Sequence, residues 1–354
     1  MQKRKRILPL QALRPCFSLP IVVHHATASD AYQCMGSCGV SFFFVLSGFV
    51  LSLGYGRKID AGQYSTKGLY LRQVCKSYPM HFFMLLVFLL IGFRHGVMPA
   101  VPQLAANVLL LQSWIPLSKF HFAFNGPSWF LCALFFHYLL FKTLYRLISR
   151  ARVRHLVGLG LGIAALYPFA ALSVPDHYSN ELLFINPLAR TLDFSLGIVA
   201  YRLYCSDFTA RLKVWISAKA SLRSNLLELL PVALLAGLHT FYLSLPFSLQ
   251  HSWVFWPIVP LIILAFVITD EAPGLLGKVL HSKPLVWLGD IGFEIYITHM
   301  LAVRLINRHL PDLDMNLRLC IILPCVILVA YMVKRFVVTP CFDFLNPRIT
   351  KLLH

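Results

Sequence analysis

A chain of 354 residues that is 58% apolar and only 13% charged lacks the polar surface that a compact soluble domain needs, since such domains run nearer a quarter charged. Lipid is therefore the expected solvent, and a soluble enzyme or binding module is excluded. A net charge of +18 would suit nucleic acid in a soluble protein, but here the basic residues sit between apolar runs, where they set membrane orientation and face anionic headgroups, so no nucleic-acid partner is expected.

The start, MQKRKRILPLQALRP, has a basic head with no small-residue cleavage site before further spans follow, and reads as a retained cytoplasmic end. A bilayer core takes about 20 mostly apolar residues per helix. On that scale spans fall near 9–29, 37–54, 78–97, 127–147, 155–174, 183–203, 225–246, 250–269, 285–303 and 316–335. The piece 104–117 is too short to cross and is expected to be re-entrant or interfacial. The expected fold class is all-α: a polytopic transmembrane helix bundle of about ten spans with no separate soluble domain. Residues 1–354 are read as one membrane domain with short basic ends at 1–8 and 340–354.

Lys and Arg test that count, because they accumulate in cytoplasmic loops. With both termini cytoplasmic in the cell's inner membrane, the basic residues of 3–6, 57–76, 146–154, 202–223, 278–283 and 334–351 fall inside. The outer side keeps Arg94, Lys119, Arg190, Arg304, Arg308 and Arg318. The cysteines lack the paired spacing of zinc sites, so no metal is expected. Cys34 and Cys38 flank the first outward loop, either bridged in an oxidising compartment or as two free thiols. Gly158, Gly160 and Gly162 lie within an apolar span and suit close helix packing better than a phosphate loop.

Ionisable groups inside a bilayer are costly, so each is a functional candidate. The first span holds Arg14, His24 and His25. Arg14 and His25 are three helical turns apart with about 20° of drift, so both can face one wet crevice roughly 16 Å apart. His24 points about 100° away, as a packing residue would. Pro15 can start the helix, whereas Pro20 would bend it between the two polar residues.

The run GSCGVSFFFVLSGFVLSLGYGRK follows, and before it stand LRP, eight residues and the pair His24–His25. Together they resemble the acyltransferase 3 family of membrane O-acyltransferases, whose first two spans read LRG, eight residues, a variable residue and a histidine, then G-V-x-x-F-F-V-L-S-G-F. Four later segments are similar to family stretches in the same order: RQVCKSYPM (72–80), GPSWFLCALFFHYL (126–139), RTLDFSLG (190–197) and LGDIGFEIYITHM (288–300). The resemblance implies a ten-span enzyme that takes an acyl group, commonly acetyl, from cytoplasmic acyl-coenzyme A. It delivers that group to an extracytoplasmic hydroxyl, usually on a surface glycan or its lipid-linked precursor. Three positions depart from the pattern. Pro15 replaces a glycine, Lys76 stands where arginine is common, and Leu134 stands where the family carries a glutamate. The glutamate's role is then absent, or falls to Glu294 or Asp193.

Acyl transfer to a hydroxyl needs a base, support for the oxyanion and a held donor. His25 is the expected general base, since imidazole titrates near working pH. Arg14, Arg72 and Lys76 are the expected partners of the coenzyme A phosphates, the last two sharing a helix face by their i, i+4 spacing. Four further candidates are weighed both ways. His299 is a site residue or a core histidine, and Glu294 is a buried carboxylate whose partner the sequence does not name. Trp129 packs on the donor or marks the membrane interface, and Ser47 suits helix approach better than nucleophilic attack. Arg190 and Asp193 are expected to pair. Acyl-coenzyme A, acetyl-coenzyme A first, is the expected donor and a carbohydrate the expected acceptor. Rival readings are a secondary transporter or flippase, and an acyltransferase with a small-molecule acceptor. The sequence leaves the oligomeric state open.

Overall fold

Helices run through the described residues, 6–97 and 99–353, of the computed structural model, and no strand occurs among them. The first three long helices are α1 (Leu8–Thr27), α2 (Gln33–Asp60) and α3 (Thr66–Arg94). Two short ones, α4 (Val101–Val108) and α5 (Ser118–His121), fill the stretch expected not to cross. Next come α6 (Ser128–Arg150), α7 (Val153–Leu172), the single turn α8 (Asp176–Ser179) and α9 (Arg190–Tyr204). They are followed by α10 (Asp207–Ala218), α11 (Ala220–Phe241), α12 (Ile258–Ile268) and α13 (Leu275–Leu280). The chain closes with α14 (Lys283–Asp290), α15 (Gly292–His309), α16 (Met315–Val333) and α17 (Thr339–Leu353).

Every expected span falls on helix, which makes the fold a polytopic transmembrane bundle, but the count of ten is approximate. Among the described residues, seven helical segments are long and apolar enough to cross a bilayer, and α14 with α15 makes an eighth if the bent pair is one span. α1 reaches the length but is interrupted by Gln11, Arg14, Ser18, His24 and His25. The apolar helix at Trp253–Ile268 is short.

The segment expected to run straight over 285–303 instead turns by 69° between α14 and α15. The cause is a close approach to α1: a Cβ on Gly289 would lie 2.0 Å from the Gln11 carbonyl oxygen, and one on Gly292 would lie 3.0 Å from the Arg14 Cβ. α2 and α9 meet in the same way. A Cβ on Gly48 would sit 2.1 Å from the Phe194 carbonyl oxygen, and one on Gly197 2.0 Å from that of Val45. Small residues at a crossing let helix backbones touch where lipid supplies no hydrophobic drive, so the glycine of VLSGF is spent on packing.

One other expectation changes. Added Cβ atoms at Gly158, Gly160 and Gly162 would meet nothing within 4 Å, so these glycines pack against no neighbour among the described residues. α7 is peripheral, tied in by Trp253 Nε1, which donates to the Ala164 carbonyl at 2.9 Å. The stretch 340–354, expected to be a short basic end, overlaps α17, which packs on α3. Cys34 and Cys38 are both buried free thiols one turn apart within α2. Of the basic N-terminal residues, Lys3, Arg4 and Lys5 lie outside the described residues.

Candidate active site

His25 lies in the last turn of α1 and stays accessible because it faces a cavity of about 370 Å³. The walls come from α1, α2, α6 and α15 and from loops near Phe122, Asn180 and His251. Opposite His25 stands His299 of α15, the two rings 5.1 Å apart and 22° from parallel. His299 is fully buried, and its Nδ1 bonds the Tyr296 carbonyl at 2.6 Å. A carbonyl only accepts, so Nδ1 carries the proton and Nε2 keeps a lone pair. That Nε2 has no partner among the described residues. His24 stacks obliquely 5.1 Å from His25 and presses on Gly36, where a Cβ would come within 3.0 Å of its ring. It packs as expected, yet it also borders the cavity. No group of three or more His, Cys, Asp or Glu among the described residues could hold a metal ion.

Arg14 occupies the other end of α1, against α14 and α15. It feels the charges of Arg6, Asp290 and Glu294. Lys76 of α3 feels those of Arg14, Glu294 and Lys334. Glu294 is 6% exposed, and its missing partner is Lys334, whose Nζ lies 3.9 Å from Oε2. Lys334 also donates to the Asp290 carbonyl, and Arg6 pairs with the Asp290 carboxylate. Arg14 and Lys76 both lie in the neighbourhood of Glu294, and neither forms an ion pair among the described residues. Arg72, one turn before Lys76 on α3, is exposed as Lys76 is, and makes no ion pair among the described residues.

The shared crevice expected between Arg14 and His25 is not continuous. The cavity at His25 ends on Ile21, Val40 and Tyr296, and Arg14 is not among its walls. An aromatic layer marks that floor: the Phe43 and Tyr296 rings are 6.0 Å apart, and those of Phe130 and Tyr296 5.1 Å apart.

Trp129 is 5% exposed and walls the His25 cavity rather than the cationic end. The Ser47 hydroxyl donates to the Phe43 carbonyl of its own helix at 2.7 Å, a bond that occupies its proton. Arg190 and Asp193 pair at 3.1 Å, both fully buried, and the guanidinium lies 4.2 Å from the Phe184 ring centre. Leu134 is buried in the apolar core. Neither carboxylate proposed to replace its glutamate is free: Asp193 serves Arg190, and Glu294 serves Lys334. Lys334, Arg304 and His251 carried no sequence signal of a site role, since each joins by convergence of distant segments, whereas Asp290 and Tyr296 lie in the 288–300 segment similar to the family.

A polytopic bundle with an accessible imidazole in a partly open cavity and cationic side chains toward the other end of the same helix has the parts of a membrane-embedded group-transfer enzyme. The chain belongs to the acyltransferase 3 family: the family model, described as an acyltransferase domain, matches residues 11–335. It is similar to the acyltransferase MdmB of Streptomyces mycarofaciens, 32% identical over 294 residues that cover 77% of this chain and 70% of the relative. No solved structure matches the chain.

Proposed function

We propose that this membrane acyltransferase moves an acetyl group from cytoplasmic acetyl-coenzyme A to a hydroxyl of a surface glycan or its lipid-linked precursor. The observation that carries this reading is that α1 offers a guanidinium at one end and a cavity-facing imidazole at the other. Both termini and the Arg14 end lie on the cytoplasmic side of the inner membrane in this reading. Arg14 and Lys76 take the donor phosphates, to which cationic groups bind by charge-assisted hydrogen bonds. Arg72 extends that face toward solvent.

His25 removes the proton from the acceptor hydroxyl, and the oxygen attacks the thioester carbonyl carbon. The C–S bond breaks, and the imidazolium returns its proton to the departing thiolate. His299, neutral and stacked on His25, keeps that ring oriented. The acyl arm must pass the Phe43–Tyr296 layer, about 16 Å of α1 separating the two ends. Shifting these two side chains would open the way.

Membranes carrying the protein are expected to transfer label from acetyl-coenzyme A to an isolated glycan. His25→Ala is expected to abolish the transfer, and full activity in that variant removes His25 as the base.

A further inference from the structure

The positive-inside reading leaves six basic residues on the outer side, and three of them, Lys119, Arg304 and Arg308, meet at one pocket of about 730 Å³. The pocket opens beside the ends of α3 and α15, with Phe88 and Ile91 in its apolar wall, and no Asp or Glu lines it. None of the three cations forms an ion pair among the described residues.

Neutral groups hold the two arginines instead. Arg304 Nη1 donates to the Phe124 carbonyl at 3.3 Å, and its guanidinium lies 5.1 Å from the Phe88 ring centre. Arg308 Nη1 donates to His95 Nε2 at 2.9 Å. Arg304 also walls the cavity that holds His25, so the two pockets share that guanidinium. Two guanidinium forks and one ammonium, unneutralised by carboxylates, match a multiply charged phosphate better than a single carboxylate.

We propose that this pocket is the subsite for a phosphate or diphosphate carried by the acceptor, which sets the acceptor hydroxyl into the neighbouring His25 cavity. The proposal rests on the acyl-transfer reading of that cavity. Anchoring a remote anion would fix the reacting oxygen near the base, where orientation counts most for rate.

The test uses the full chain in phosphatidylcholine nanodiscs, titrated with inorganic diphosphate by calorimetry. Saturable binding is expected, weakened at least about tenfold by Arg308→Gln and separately by Lys119→Gln on α5, as loss of a charged hydrogen bond implies. No saturable binding, or an affinity unchanged in both variants, overturns the proposal. Discs containing phosphatidylglycerol separate the two sources of phosphate. Retained diphosphate binding supports an acceptor group, whereas its loss assigns the pocket to a bilayer headgroup and overturns the acceptor subsite. Label transfer from acetyl-coenzyme A is followed on the same wild-type sample. Transfer without diphosphate binding faults the pocket alone, and diphosphate binding without transfer faults the enzymatic reading alone.

Discussion

At one end of α1, Arg14 sits among charges of both signs, with Lys76 and Lys334 set against Asp290 and Glu294. At the other end, His25 meets rings: His24, His299 and, around the cavity, Trp129 and Tyr296. The difference follows from what each end can hold at tolerable cost. Arg14 is half-buried, and a cation partly withdrawn from water is less costly when counter-charges lie nearby, so the Arg14 end holds charges of both signs. An imidazole is neutral when unprotonated and tolerates an aromatic pocket, and the His25 end is a cavity walled by rings. In the proposed function, one end holds the donor anion and the other acts on a hydroxyl.

Substitutions at the two ends should separate these tasks. The largest effect is expected at His25, where His25→Ala should lower kcat by about 10²–10⁴-fold, the range for loss of a general base, with donor KM little changed. Arg14→Gln should act on the other parameter, raising donor KM at least about tenfold, since one charged hydrogen bond is lost. Measuring KM against ionic strength checks this, because a partly exposed ionic contact weakens with salt. Lys76→Arg should lower donor KM by about threefold, as a guanidinium fork holds phosphate by two bonds where an ammonium gives a point charge. Ser47→Ala should change either parameter by less than about twofold, because its hydroxyl is spent on its own helix. A large kcat loss in that variant would give Ser47 a covalent role and blur the division.

Local periodicity made one part of the site legible. Arg14 and His25 share a helix, and 3.6 residues per turn puts them on a common face wherever that helix sits. The same regularity located the helices, because about 20 apolar residues are a local signal. Convergence was not legible. The Glu294 partner is Lys334, 40 positions later by their numbering, and the path of α16 decides their meeting. Arg304 reads as an ordinary arginine near a helix end until two pockets are seen to share it. The turn between α14 and α15 was also hidden, since Gly289 and Gly292 reveal their purpose only when the α1 backbone is found against them. Gly158, Gly160 and Gly162 misled in the opposite sense, because spacing that suits helix packing says nothing of whether a partner is present.

The division of labour along α1 is tested most directly by sidedness. The protein is reconstituted in one orientation into sealed vesicles, glycan acceptor enclosed on the His25 side and labelled acetyl-coenzyme A added on the Arg14 side. Label on the enclosed glycan, lost in His25→Ala, is the expected result. Transfer that occurs only when donor and acceptor share the same face would contradict a path that joins Arg14 to His25 along the first helix.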